Sequence, residues 1–180
     1  MNYQGWIGFV FLVALTAILA AGCASTRPTG TAEFRATDVP SAGVSKIMVT
    51  TRNIQIHKAD TPEDNWITVV SQERTFDLVA IQGVEVFLGS ENVSSGNYTQ
   101  IRLDVVKVIV TLDGKDITVK LPSDKLKVVR PWEVKTGQKT ILTLDFDADT
   151  FVVITGNDQA QVNPVIKLEV SQGERPLKTQ

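Results

Sequence analysis

Along most of this chain apolar and polar residues alternate with a period of two, the mark of strands that bury one face. Ala32, Phe34 and Ala36 alternate with Glu33, Arg35 and Thr37, and Asp38-Val39-Pro40 ends that first strand. Residues 44–57 read as a long strand whose phase slips, since Ile47 and Val49 are odd-numbered and Ile54 and Ile56 even-numbered. A bulge near Thr51 to Asn53 reconciles the halves, because one extra residue exchanges the two faces. Further strands are expected at 66–70, 76–79, 98–112, 117–121, 140–147, 151–154 and 165–170, with a short helical turn within 80–88. The longest of them changes phase as well, from Ile101, Leu103 and Val105 to Val106, Val108 and Val110. Asp113-Gly114 supplies a two-residue hairpin between it and the strand that follows. About eight or nine short strands, turn clusters between them and no amphipathic helix predict an all-β fold, an antiparallel β-sandwich of the immunoglobulin-like or transthyretin-like kind.

The alternation fails at the N-terminus, where 7–21 reads IGFVFLVALTAILAA. These fifteen apolar or small residues fall short of the ~20 that span a bilayer as a helix, and match the core of a secretory signal. Leu19-Ala20-Ala21-Gly22-Cys23 then resembles a bacterial lipobox, which implies cleavage before Cys23 and acylation of its thiol. The chain divides accordingly into a signal peptide (1–22), a lipid-anchored spacer (23–30), a sandwich domain (31–170) and a flexible tail (171–180). An uncleaved N-terminal anchor helix is the competing reading. Ala24 after the cysteine, by the same resemblance, favours the outer membrane in a Gram-negative cell; otherwise the anchor is on the outer face of the cytoplasmic membrane.

Composition narrows the functions. The first 22 residues carry no Asp, Glu, Lys or Arg, so all 18 basic and 20 acidic side chains lie beyond them and the formal charge stays at −2. No nucleic-acid footprint is expected from that balance. A single cysteine excludes an intrachain disulfide and a cysteine-based zinc site.

Several residues carry candidate chemistry. Asp145, Asp147 and Asp149 alternate with Leu144, Phe146 and Ala148, so a strand would align three carboxylates that can hold calcium. The plainer reading is a solvated edge, or pairing with the stretch 115–139, where seven Lys or Arg face three acids. Arg102 shares a strand face with Tyr98, Gln100 and Asp104, and its fork can grip a carboxylate ligand. Asp145 or Asp147 on a neighbouring strand is the structural partner expected instead. Tyr98 resembles the tyrosine of sandwich corners, whose hydroxyl bonds backbone. Trp66 and Trp132 follow polar or proline-containing loops, where sugar-stacking aromatics occur, although packing is the commoner fate of such tryptophans. His57, the one histidine, is expected to face water.

Ordered blocks of sequence add a resemblance. Thr37-Asp38-Val39-Pro40, Phe76-Asp77-Leu78, Gly96-x-Tyr98-Thr99-Gln100-Ile101-Arg102-Leu103, Leu144-Asp145-Phe146-Asp147-Ala148-Asp149 and Pro164-Val165-Ile166 resemble a prokaryotic domain family of unknown function, the one numbered four-three-eight-two, from about 31 to 170. The resemblance implies a sandwich carried by a secreted lipoprotein and supplies no catalytic or ligand residues. The chain is therefore expected to be a non-enzymatic envelope lipoprotein with a binding or structural module and no cofactor beyond the calcium considered above. Its expected partners are the membrane, through its lipid, and envelope proteins or glycans. The alternatives are a surface carbohydrate-binding or adhesin-type protein, which needs Trp66 or Trp132 exposed, and a small hydrolase, which needs His57 or the Asp145–Asp147 pair in a pocket.

Overall fold

A computed structural model describes residues 27–38, 45–119, 121, 123–155, 159–163 and 165–179. Cys23 and the apolar run before it lie outside the described residues. Twelve strands occur among those described: β1 (Thr29–Asp38), β2 (Lys46–Lys58), β3 (Trp66–Val70), β4 (Arg74–Asp77), β5 (Val86–Ser94), β6 (Gly96–Leu112), β7 (Lys115–Thr118), β8 (Lys125–Val134), β9 (Lys139–Phe146), β10 (Val152–Thr155), β11 (Gln159–Val162) and β12 (Ile166–Gln172). Sheet A has the order β12-β9-β1-β5; sheet B has the order β3-β2-β6-β7, with β4 also on β2 and β8 also on β6; β10 and β11 form a separate hairpin.

The fold class follows the two-residue period, and the inward set is the predicted one except at Val106 and at Tyr98, which the register shift between Tyr98 and Gln100 turns into the core, away from the face of Arg102. Ala32, Phe34 and Ala36 of β1 and Leu142, Leu144 and Phe146 of β9 face Ile47, Val49, Ile54 and Ile56 of β2 and Ile101, Leu103, Val108 and Val110 of β6 across one core. Phe146 packs edge-on against Phe76 of sheet B, with centroids 5.6 Å apart.

Both phase slips are bulges. In β2 the register with β6 shifts between Arg52 and Ile54, and Asn53 adopts φ 51°, a left-handed conformation that asparagine tolerates. In β6 the neighbour of Thr50 is Lys107 and that of Thr51 is Val105, so Val106 is the extra residue. It therefore turns outward, 45% exposed, rather than joining Val108 and Val110. Asp113 and Gly114 both take positive φ, 49° and 75°, as a two-residue hairpin turn requires.

Four expectations differ. Strands β5, β8 and β11 raise the count above eight or nine; the helical turn is reduced to the bonds from Ile81 N–H to Asp77 O and from Val84 N–H to Ile81 O, and Val86 already begins β5. The pair β1–β9 is parallel, within an otherwise antiparallel pair of sheets. Its cause is topological: β5 turns directly into β6 at Ser95, β8 returns to that same end, and a turn at Gly137 starts β9 beside the start of β1. The tail read as flexible first completes β12 to Gln172 and then crosses the outer face of sheet A, where Lys178 O accepts from Glu85 N–H at 2.9 Å.

The sheets also meet at their edges. Gly89 of β5 lies so close to β3 that a Cβ would sit 2.7 Å from Val70 Cγ2, and on the other side Arg130 Nη1 donates to Leu168 O of β12.

Candidate functional site

Both sheets turn a charged face outward. On sheet A the residues between the inward positions of β1 and β9 pair as Glu33–Ile141, Arg35–Thr143 and Thr37–Asp145. Arg35 is buried and donates from Nε to Glu33 Oε1 at 2.7 Å and from Nη1 to Glu85 Oε2 at 2.8 Å. Its remaining donors reach backbone of the tail, Pro176 O at 3.1 Å and Arg175 O at 2.7 Å. Arg175 closes the cluster with a two-pronged grip on Glu85, at 2.7 and 3.0 Å. Burial alone would raise the Glu85 carboxyl; hydrogen bonds from Arg175, Arg35 and the Lys178 N–H outweigh it and hold the group at about 2. Glu33 is lowered for the same reason, burial being outweighed by Arg35 and Lys139, and Lys139 also reaches Glu174 at 2.9 Å. One carboxyl on this face stays outside the network: Asp145 is buried, its Oδ1 lacks a partner among the described residues, and burial raises its carboxyl, only partly offset by Lys167.

Sheet B is built the other way. Four strands set Thr68, Gln55, Arg102 and Lys127 in one cross-strand row and Trp66, His57, Gln100 and Val129 in the next. Gln55 fixes Arg102, accepting at Oε1 from Nε at 3.0 Å and from Nη2 at 2.7 Å, and donates onward to Thr68 at 3.1 Å. The guanidinium carbon sits 4.2 Å from the centroid of Trp66, and Lys127 Nζ stands at 6.0 Å. Trp66 leans in turn on His57, with centroids 5.3 Å apart. From the Thr50–Lys107 pair to the Trp66–Val129 row this face carries Arg52, Arg102, Lys107, Lys125 and Lys127 against one acid, Asp104. Asp104 is spent on Lys125 at 3.2 Å and on Asn53 at 3.1 Å. Among the described residues the other four cations have no carboxylate partner.

The residues singled out in the sequence are thus separated. Arg102 and Trp66 come together, but Arg102 is in sheet B, away from Asp145 and Asp147, and Gln55 takes the place expected of them. Trp132 is in the core, 6% exposed, stacked on Tyr98 at 4.6 Å and 15°, because it is the cross-strand neighbour of Tyr98 on the inner face. Tyr98 has the corner role expected, its hydroxyl donating to Ser94 O at 2.7 Å. His57 does not face water: it is 6% exposed, covered by Trp66 and by the loop that brings Pro62 O to 2.9 Å from Nε2, with Nδ1 unpartnered. The aspartate row also breaks. Strand β9 ends at Phe146, and Asp147 O accepts from the N–H groups of Thr150 and Phe151, starting a helical turn (Ala148–Phe151) that contains Asp149. A helix rotates successive residues by about 100°, so alternation cannot continue. Among the described residues no three acidic or histidine side chains converge as metal ligands. Elsewhere a cleft of about 340 Å³ opens between β3 and β5, with Arg74 and Glu91 as its ionisable walls.

The sequence reading passed over Gln55, Lys127 and Arg52 as site residues, because their signal was three-dimensional: the bulge at Asn53 puts Arg52 and Gln55 on one face, and strand pairing sets Lys127 opposite Arg102. It also passed over Glu85 and Arg175, which meet Arg35 from 50 and 140 residues away.

The chain belongs to the family described as Domain of unknown function (DUF4382), whose model matches residues 29–164. Comparison with curated proteins gives no match. Among solved structures the chain is similar to one described as a "putative cell adhesion protein" from Bacteroides ovatus ATCC 8483, at 10% identity and a TM-score of 0.29, over 83% of this chain and 46% of that one. The chain thus spans about half the length of that protein.

Proposed function

We propose that this protein is an envelope lipoprotein, fixed to a membrane through acylated Cys23, whose sandwich is a non-catalytic binding or structural module. The observation that carries the reading is the apolar run 7–21, whose last three residues with Gly22 and Cys23 read Leu-Ala-Ala-Gly-Cys. The start of the domain agrees with it. Strand β1 begins at Thr29, with Ser95 N–H donating to Pro28 O and Gly137 N–H to Thr29 O, both at 2.9 Å. Five residues, 24–28, then separate Cys23 from the sheet. Extended, they reach at most ~18 Å, so the β5–β6 and β8–β9 turns would stand next to the lipid surface. Each buried methylene of an acyl chain contributes ~0.8 kcal/mol, and two or more chains hold a domain of this size stably.

The binding role falls to the outer face of sheet B, where the charge is left open. A carbohydrate-binding or adhesin-type protein keeps Trp66 as its support and loses Trp132, which is packed inside. A hydrolase draws no support from His57, which is under Trp66 and Pro62.

Cys23→Ser tests the anchor by metabolic fatty-acid labelling and fractionation. The variant should take up no label, retain its leader and leave the acylated pool. Normal labelling of the variant sinks the reading.

A further inference from the structure

We propose that the outer face of sheet B binds an acidic polysaccharide through its carboxylates, with Arg102 as the central contact and Lys127, Arg52 and Lys107 as flanking charges. This rests on the reading of the sandwich as an exported binding module and names its ligand class.

The argument begins with the fork of Arg102. Gln55 Oε1 occupies the Nε–Nη2 edge, and Trp66 holds the guanidinium plane from one side. The Nη1–Nη2 edge has no partner for Nη1 among the described residues, and that edge matches a carboxylate with two parallel hydrogen bonds. An arginine oriented by a glutamine and an indole loses little rotamer freedom when a ligand arrives, which favours binding. Lys127 is its cross-strand neighbour, Arg52 pairs with Asp104 one row away, and Lys107 lies just beyond the Val106 bulge. These cations lie along a sheet face rather than around a hollow, an arrangement suited to a charged polymer laid across strands.

Other occupants fit less well. A protein partner would need a desolvated apolar centre with aromatic anchors. The large apolar side chains exposed on this face are Val106, 45% exposed, and Val129, 70% exposed, standing apart on different strands. A lipid surface would need residues to insert, and the same two valines are what the face offers. A hydrated polyanion requires neither. Trp66, half-buried at the rim of the Arg102 site, has the guanidinium over its ring and so serves to hold Arg102 in place for the carboxylate.

The test uses the full chain in detergent, titrated calorimetrically with polygalacturonate and with its fully methyl-esterified form, the same sugars without charge. Binding of the free acid alone, weakening as salt rises, is expected. Arg102→Gln should weaken it about tenfold, the worth of a charge-assisted bidentate contact. Lys127→Gln should weaken it about threefold, as an exposed pair does. Lys167→Gln, on sheet A, should leave it unchanged. If Arg102→Gln lowers the melting temperature, the double variant of Arg52→Gln with Lys127→Gln decides instead, since both side chains are exposed. Equal binding of the esterified polymer, no binding at low salt, or a loss in Lys167→Gln as large as in Lys127→Gln overturns the proposal. So does tighter, Arg102-dependent binding of phosphatidylglycerol vesicles, of polyglutamate or of single-stranded DNA. Every arm reads on purified protein, so a failure here leaves acylation of Cys23 to its own labelling test.

Discussion

On sheet A the outward side chains are closed against each other, and on sheet B they are left open. Arg35 in β1 has two carboxylates and two carbonyls around it and is hidden under residues 174–178, whereas Arg102 in β6 has one glutamine, one indole and an edge without a partner among the described residues. Both lie at alternating positions of a central strand, and the sequence around each is equally polar. The difference lies in what the rest of the chain delivers. Sheet A receives Glu85 from the turn before β5 and Arg175 from the tail; sheet B receives one acid, Asp104, for five cations. Charges that are all paired stabilise the fold, and charges left without partners are available to something outside it.

Breaking the closed side should have the largest effect. Glu85→Ala strands two guanidinium groups, one fully buried, and is expected to cost about 3–5 kcal/mol in urea unfolding, as removal of one member of a buried network does. A loss below ~1 kcal/mol would mean that the two faces are not different in kind. Acid probes the same cluster without mutation. The Glu85 carboxyl is at about 2 in the folded chain against an ordinary 4.5, so its contribution is complete above pH 4.5 and disappears as pH falls through about 2. That difference is worth about 3 kcal/mol, and this part of the acid limb should be missing in Glu85→Ala, leaving the part that Glu33 contributes.

What could be read in the sequence divides along the same line. Local alternation was enough for most of the inward faces, though not for Tyr98 and Val106 beside register shifts, and for the bulge at Asn53, the Asp113-Gly114 turn and the corner bond of Tyr98, because each depends on neighbours within a few residues. The ordered blocks around Phe76, Tyr98 and Leu144 were enough to place the chain in its family. Strand β5 was hidden because Val86–Ser94 has Gly89 and Glu91 opposite Phe34 and Ala32, where alternation would need apolar residues, its core face being narrowed by Val70. Trp132 was hidden because Pro131 suggested a loop; the β8 register shift opposite Tyr98–Gln100 lets the strand continue past it. The clustering of Glu33, Arg35, Glu85 and Arg175 has no one-dimensional signal at all, since the pairs are formed by topology. The aspartate row failed for the opposite reason: alternation continued in the sequence after the strand had ended.

Asp145 is the weak point of the closed face and should respond in the opposite direction. Its carboxyl is raised by burial, so ionised Asp145 opposes folding: its contribution is present below the ordinary carboxylate range and lost as pH rises through the raised value. Asp145→Asn removes that cost and should be the more stable protein at neutral pH, with the gain vanishing in acid, where the wild-type carboxyl is protonated. A destabilised variant at pH 7 would show that the Asp145 charge takes part in the network after all.

The smallest change is expected where the charges are open. Arg52→Gln, Lys107→Gln and Lys127→Gln remove cations that have no carboxylate partner among the described residues, so each should move the unfolding free energy by no more than ~0.5 kcal/mol. The sign carries more information than the size. Four uncompensated cations on one sheet repel each other, so the triple variant should be as stable as the wild type or slightly more so. Added salt should raise the wild-type midpoint relative to that of the triple variant, because screening has less repulsion on this face left to relieve. A triple variant that lost several kcal/mol would mean these side chains hold the sandwich together, and the outer face of sheet B would then be a second closed face rather than a surface held ready for a ligand.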